Sequence, residues 1–288
     1  MTTNTQTPST QSPRAVLVIG ANGKTGRRVA QRLQAAGLPV KAASRSSETP
    51  FDWQDNSTWA PALEGVQSAY ITFYPDLAFP GAADLVEGFA RVALDHGVKR
   101  LVLLSGRGEE GARDAEQRIQ NSGADWTIVR CSVFNQNFSE SFAEAIAHGH
   151  LAMPVGQTKE PFVDAEDIAD VAFAALTDNR HIGQVYELTG PRLLTLEQVA
   201  SELSEAIGRT IEFHSVSVSQ YAEELTQHGF SSEEALPIAQ LISEVFDGRN
   251  AYLTDGVQRA LGRAPRDFSD FANAAAADGI WNPKEVLS

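Results

Sequence analysis

Three glycines recur at three-residue intervals in the stretch VLVIGANGKTGRRVA, at Gly20, Gly23 and Gly26. Glycines so spaced let a backbone turn sharply and approach a pyrophosphate, whose charge then rests on the free N–H groups of a helix start. The embedded Gly23-Lys24-Thr25 looks like the end of a nucleoside-triphosphate loop, but the first glycine of such a loop would fall at Val18. A dinucleotide is therefore expected. An NAD site wants a carboxylate at the end of the second strand for the ribose hydroxyls, and Lys41-Ala-Ala-Ser-Arg-Ser-Ser47 offers none. Ser44 and Arg45 stand instead where a 2′-phosphate would lie, with Lys24 and Arg27 nearby, which favours NADP(H) over NAD(H).

These residues need a strand, a turn and a helix to position them. Ala15 to Ile19 is a short apolar run feeding the glycines, and Val29, Leu33 and Leu38 then recur at helical spacing until Gly37-Leu-Pro39. Further strands are predicted at Val40 to Ser44, Phe51 to Trp53, Ser68 to Phe73, Lys99 to Ser105 and Trp126 to Arg130. Helices are predicted between them at Trp59 to Leu63, Ala82 to His96 and Arg113 to Gln120. Strands alternating with helices at this pace imply a parallel sheet with right-handed crossovers. After residue 134 the rhythm loosens. Helices are predicted at Phe134 to His148, Asp164 to Thr177, from Thr195 with its capping partner Gln198, and across most of Ser219 to Phe246. Short strands are expected at Pro161 to Val163, Gln184 to Leu188 and Ile211 to Val216. The fold class is thus α/β, a Rossmann-type doubly wound parallel sheet over residues 14–133. A smaller α/β substrate or capping lobe follows over 134–288, partly interleaved with it, and residues 1–13 form a disordered tail.

The chain has 288 residues with a formal charge of −14, which repels phosphate backbones and anionic lipid, so neither nucleic acid nor a membrane is expected as partner. No apolar run approaches the roughly 20 residues that span a bilayer, and residues 1–13 lack the character of a signal peptide. With a single cysteine, Cys131, nothing requires an oxidising compartment, and a cytoplasmic monomer or homodimer is expected. The pair His148 and His150 lacks a third ligand, so no metal is expected.

The loop, taken with FDWQDNSTWAPALEGVQSAYI, HGVKRLVLLSG, SGADWTIVRCSVFNQNFSE and FVDAEDIADVAFAALTD followed by GQVYELTGP, resembles the NmrA-like family of atypical short-chain dehydrogenases. The resemblance extends over nearly the whole chain past the tail. It implies that Gly20, Asn22, Gly23, Lys24, Thr25 and Gly26 hold the pyrophosphate, that Ser44 and Arg45 face the adenosine ribose, and that Asp52 and Trp53 lie along the adenine. It places Thr72, Phe73, Tyr74 and Ser105 along the cofactor midsection, has Cys131, Val133 and Phe134 support the nicotinamide, and leads Asn137 and Phe138 into the substrate wall. The family includes quinone, imine and dye reductases as well as proteins that bind the dinucleotide as redox sensors.

Ordinary short-chain dehydrogenases carry Tyr-x-x-x-Lys, in which the lysine lowers the tyrosine pKa for proton transfer. Here Tyr70, Tyr74, Tyr186, Tyr221 and Tyr252 are followed four places on by Tyr74, Ala78, Gly190, Leu225 and Gly256. The segment after Ser105, Gly-Arg-Gly-Glu-Glu-Gly-Ala-Arg-Asp-Ala-Glu116, holds neither Tyr nor Lys, and Glu116 reads as a solvated helix residue. Tyr74, Asp76, Ser105, Asn135 and Asn137 are the polar candidates near the nicotinamide, with Tyr74, Ser105 and Asn135 taken as the catalytic set. Phe73, Tyr74, Phe79, Phe134 and Phe138 favour a flat aromatic substrate, although the same residues suit a core. The expectation is an NADPH-dependent reductase of a quinone, imine or other conjugated aromatic molecule. Alternatives are a tailoring enzyme of aromatic natural products and an NADP-sensing regulator acting through a protein partner.

Overall fold

The computed structural model describes residues 14–282, so the tail expected over residues 1–13 lies outside the described residues. In chain order the first half runs β1 (Ala15–Ile19), α1 (Gly26–Ala35), β2 (Val40–Ser44), β3 (Thr49–Pro50), α2 (Trp59–Leu63), β4 (Val66–Ile71), α3 (Ala82–Asp95), β5 (Arg100–Gly106), α4 (Glu110–Asn121) and β6 (Asp125–Cys131). The second half runs α5 (Ala143–Ala147), β7 (His150–Met153), α6 (Ala165–Thr177), β8 (Gln184–Leu188), α7 (Leu196–Ile207), β9 (Glu212–Ser215), α8 (Val218–Gln227), α9 (Ser232–Val245), α10 (Gly256–Leu261) and α11 (Phe268–Ala277). Seven strands form one parallel sheet in the order β3-β2-β1-β4-β5-β6-β8. The order reverses between β1 and β4, and in open α/β sheets a ligand crevice lies outside the strand C-termini at such a switch point.

Side-chain alternation along β1 divides the core. Leu17 and Ile19 face the layer of α2, α3 and α4, while Val16 and Val18 face that of α1, α6 and α10. Strands covered on both faces read as continuous apolar runs, as AVLVI and RLVLLSG do. A third cluster, built from Phe138, Leu151, Phe162, Leu196, Leu203, Phe268 and Trp281, holds the second lobe around a two-stranded parallel sheet of β7 and β9. The last strand of the large sheet, β8, comes from the second half of the chain, so the two lobes are interleaved.

Several predicted elements differ. The short strand expected at Phe51 to Trp53 is Thr49–Pro50, because Phe51 and Trp53 turn into an aromatic cluster with Trp59 and Phe89. The helix expected at Phe134 to His148 is a 3-10 turn at Asn135–Asn137 and the short α5, interrupted where Phe138 and Phe142 are drawn into the third cluster. Pro161 to Val163 makes only a one-residue bridge, Phe134 to Val163, beside the bridge of Glu160 to Leu194. Ser219 to Phe246 divides into α8 and α9, each opened by a serine capping box, at Ser217 and Ser231. Among the described residues no helix is long and apolar enough to cross a membrane.

Candidate active site

The glycine loop leaves β1 at the switch point and is closed by its own backbone. Gly20 N–H donates to the Ala43 carbonyl at 2.9 Å, and Gly23 N–H to the Gly20 carbonyl at 2.8 Å. Gly20 has φ +71°, a left-handed conformation, and a Cβ there would sit 2.2 Å from Thr72 Oγ1. A Cβ on Gly26 would sit 2.2 Å from the Gly20 carbonyl oxygen, so only glycine lets α1 start this close to the turn. Gly23 is roomier, with 3.2 Å to the same oxygen. The loop is therefore a cradle of the kind a pyrophosphate needs, at the N-terminus of a ten-residue helix. Thr25 is buried, and Thr72, beyond β4, donates its hydroxyl to the Ile19 carbonyl at 3.0 Å and braces the strand end.

Beside the loop, Asn22 Nδ2 donates to Ser44 Oγ at 3.1 Å, which ties the turn to the end of β2. Arg45 is exposed and makes no ion pair among the described residues; its guanidinium lies 5.6 Å from the centre of the Tyr74 ring. Arg27 is not available there. It pairs with Glu140, and Arg28 and Arg32 of the same helix pair with Glu166. Lys24 is directed the other way, donating to Ser141 Oγ at 2.9 Å, and burial holds its pKa below the usual lysine value. Asp52 is half-buried, its Oδ1 accepting the Gln54 N–H. Trp53 is a core residue, 7% exposed, with Nε1 donating to the Thr72 carbonyl, so its ring has little face to offer an adenine.

Past the strand ends of β4, β5 and β6 lies a cavity of about 380 Å³. Phe73, Leu104, Cys131, Val133 and Phe134 form its floor toward the sheet. Asn137, Phe138, Phe142 and Met153 form the side toward the second lobe, and Leu241, Ile242, Val245 and Phe246, on and after α9, close it over. Lys24 and Ser105 also reach its wall. Of the predicted residues the cavity thus gathers Lys24, Phe73, Asp76, Ser105, Cys131, Val133, Phe134, Asn137 and Phe138.

Four placements here correct the sequence reading. Tyr74 is 68% exposed and lies off the cavity wall, spent on the stack with Arg45. Asn135 is wholly buried, off the wall, and has no partner for either side-chain amide atom. Phe79 is likewise off the wall, on the turn that leads into α3. Ser105 reaches the wall but donates its hydroxyl to Glu116 Oε1 at 2.6 Å. Glu116 is not solvated: it is 2% exposed and takes a bidentate pair from Arg130, which also reaches Glu187. The thiol of Cys131 is buried, which pushes its pKa up and keeps it inert.

The wall carries three carboxyl groups. Asp76 lies in the turn after β4, with Oδ1 accepting the Ala78 N–H at 2.8 Å, and Glu109 lies just before α4. Burial raises the pKa of both, and Glu109 is pushed up to about 8 by burial, by the adjacent Asp76 and by Glu116. Glu160, 1% exposed, is also pushed up to about 8 by burial, which the Arg107 guanidinium only partly offsets. Among the described residues the buried carboxylate oxygens with no hydrogen-bond donor belong to Glu109 and Glu160 alone. Arg107 is itself committed to Glu187, Ser132 and the Asn250 carbonyl. Asp76 was visible in the sequence as a polar group after the fourth strand. Glu109 sits three residues past a strand end, a signal that could have drawn attention; Glu160 lies in an aperiodic stretch that gives none.

Comparison with known proteins agrees with the dinucleotide-binding fold. Residues 20–179 match a family described as NAD(P)H-binding, and residues 113–271 match the NmrA-like family. An NAD(P)H azoreductase of Xenophilus azovorans is 31% identical over 286 residues, covering 91% of this chain and 98% of the relative. Agroclavine dehydrogenase of Claviceps fusiformis is 32% identical over 277 residues, covering 90% and 96%. The structure of a Citrobacter triphenylmethane reductase complexed with NADP(H) superimposes with a TM-score of 0.77 at 19% identity, covering 91% of this chain and 99% of that one, a likeness of fold.

Proposed function

Since the chain belongs to the NmrA-like family of NAD(P)H-binding proteins, we propose that it reduces a flat, conjugated small molecule, a quinone, imine or azo compound, with NADPH as the preferred reductant. It is an NAD(P)H-dependent oxidoreductase. The observation that carries the finer reading is the cavity: an apolar, aromatic-walled space at the C-terminal edge of the strands, next to the glycine cradle. A protein that only sensed the dinucleotide would have no use for such a space beside it.

In this reading Gly20, Asn22, Gly23, Thr25 and Gly26 hold the pyrophosphate, Ser44 and Arg45 meet the 2′-phosphate, and Thr72, Phe73, Cys131, Val133 and Phe134 bound the nicotinamide. The reduced dinucleotide supplies a hydride when bound; the chain supplies orientation and exclusion of water. Phe73, Phe134 and Phe138 sandwich the acceptor, Asn137 offers it a hydrogen bond, and Leu241 to Phe246 shut out solvent. Ser105 acts through Glu116, steadying the end of β5, and gives no proton to the acceptor.

The test is NADPH consumption by the purified chain across a panel of quinones, cyclic imines and azo dyes, with and without oxygen. Turnover with at least one class is expected. Tight NADPH binding with no turnover on any of them would overturn the proposal in favour of a sensor, and turnover that incorporates oxygen would move it to a tailoring oxygenation.

A further inference from the structure

Reduction of a neutral acceptor needs a proton as well as a hydride, and the Tyr-Lys pair that commonly delivers it is missing. We propose, resting on the reductase reading above, that Asp76 and Glu109 form a carboxyl pair sharing one proton on the cavity wall, and that Glu109 delivers it to the acceptor heteroatom. The start of α4 packs directly on the turn after β4, where a Cβ on Gly111 would sit 2.4 Å from the Ala78 carbonyl oxygen, and this brings Glu109 beside Asp76, which holds the proton on Glu109. Both line the cavity. Oε2 of Glu109 is shielded from water and receives no donor from the chain, so only a proton can make these two acceptors partners. A Cβ on Gly106 would sit 2.2 Å from Glu109 Oε2, and it is this glycine at the end of β5 that lets the carboxyl fold back over the strand end.

Among the described residues no cation pairs with either carboxyl, and Lys24, on the same wall, donates to Ser141 Oγ. Arg130 is taken by Glu116 and Glu187, Arg107 by Glu187, and Arg249, which donates to the Gly108 carbonyl, by Asp247. The groups facing Glu109 are thus Asp76 from the loop, Glu116 two turns along α4, and cations already bound elsewhere. Two like charges in contact at low dielectric do not both ionise, so one proton stays. It resides on Glu109, whose pKa is pushed up to about 8, while Asp76 is steadied as the acceptor by the Ala78 N–H.

The step balances. Hydride from the reduced dinucleotide forms a bond to one atom of the acceptor double bond as the π pair moves to the other atom, which takes the proton from Glu109. The dinucleotide is oxidised, the acceptor is reduced by two electrons, and the doubly ionised carboxyl pair recovers its proton from solvent. A cationic acceptor such as a triphenylmethane dye needs hydride alone and becomes neutral on receiving it.

That difference supplies the experiment. Glu109→Gln is isosteric with the protonated carboxyl, so at pH 7 it keeps the fold and the local charge. Its kcat/KM is expected to fall at least tenfold on a quinone or azo dye, and to stay within about twofold on a triphenylmethane dye. The wild-type profile on the neutral acceptor should fall above about pH 8. Asp76→Asn should move that limb to lower pH, because the charge that raises Glu109 is gone, and Glu109→Gln should erase it. Infrared difference spectra report the pair without turnover: a protonated-carboxyl band titrating near pH 8 is expected in the wild type, and since Glu160 is pushed up to the same value, the part of it that survives Glu160→Gln should vanish in Glu109→Gln. Equal losses on both acceptor classes, or no such band in the wild type, would overturn the proposal. Absence of NADPH consumption with either class would sink the reductase reading and proton delivery with it. A band that persists in that case places the failure in the acceptor reading rather than in the shared proton.

Discussion

Replacing Arg45 tests which dinucleotide the cradle was built for. Its guanidinium is exposed, unpaired among the described residues, and held over the Tyr74 ring at the end of β2, where the second ribose of a dinucleotide on the Gly20–Gly26 turn would lie. A hydrogen bond to a charged group contributes about 1.5–3 kcal/mol, and solvent at this exposed site puts Arg45 at the lower end. About 1.4 kcal/mol is a tenfold change in Kd. Arg45→Ala should therefore weaken NADPH about tenfold and leave NADH within about twofold, collapsing the ratio between them. Tyr74→Leu removes the surface under the guanidinium and should cost NADPH only about two- to fivefold, the scale of an exposed cation–π contact. Calorimetric titration of both nucleotides at about 0.1 and 1 M salt checks this, since the Debye length falls from about 10 to 3 Å and the preference should narrow with it. Equal losses for NADPH and NADH in Arg45→Ala would refute the assignment, as would a preference that ignores salt.

Other residues give sharp expectations. Gly26→Ala drives a Cβ into the Gly20 carbonyl, and overpacking of this kind costs about 1–3 kcal/mol, readable as a lower urea midpoint; Gly23→Val should keep the fold and abolish dinucleotide binding, and unchanged binding would dismiss the loop assignment. Glu116→Ala strips the buried partner from Arg130 and should lose about 3–5 kcal/mol of stability, against under about 1 kcal/mol had Glu116 been a solvated residue. Glu160 stands at about 8 when folded against an ordinary 4.5, so the folded state binds the extra proton and stability falls as pH rises between those values. At about 1.4 kcal/mol per pKa unit the loss is of the order of 3–5 kcal/mol. Glu160→Gln should be more stable than the wild type at pH 8 and equal to it near pH 4; a difference independent of pH would contradict the burial argument.

The parts of this site governed by local backbone rules were legible in the sequence. The turn at Gly20 and the helix start at Gly26 follow from residue type and spacing, and the parallel α/β alternation follows from the rhythm of apolar runs; the strand order itself was not read from the sequence. What sequence reading missed is set by contacts between distant segments. Glu116 looks like any helical glutamate until β6 brings Arg130 against it. Tyr74 looked catalytic from its place after a strand, but that strand end turns it outward. Phe134 to His148 has helical spacing, yet burial of Phe138 beneath Phe162 and Phe268 outweighs helix propensity there. Glu160 meets the cavity only because a bridge to Leu194 holds its strand segment in place.

The distribution of buried acids bears on whether the cavity is for chemistry. This fold pairs its buried carboxylates well, Glu116 with Arg130 and Asp167 with Arg263 and Arg266, and the half-buried Glu187 with Arg107 and Arg130. Asp164, where no arginine reaches, is satisfied by Gln136 and its own helix start. A chain so supplied with arginines at its buried acids has, among the described residues, left buried donorless carboxylate oxygens at Glu109 and Glu160 only, and both residues line the same cavity. Each lowers stability at neutral pH, since burial without a partner favours the protonated form. Scattered misfits would show no such preference for one cavity. Acids held protonated at neutral pH around an aromatic-walled cavity, next to a dinucleotide cradle, suit hydride transfer to a neutral acceptor and serve no purpose in a passive dinucleotide sensor.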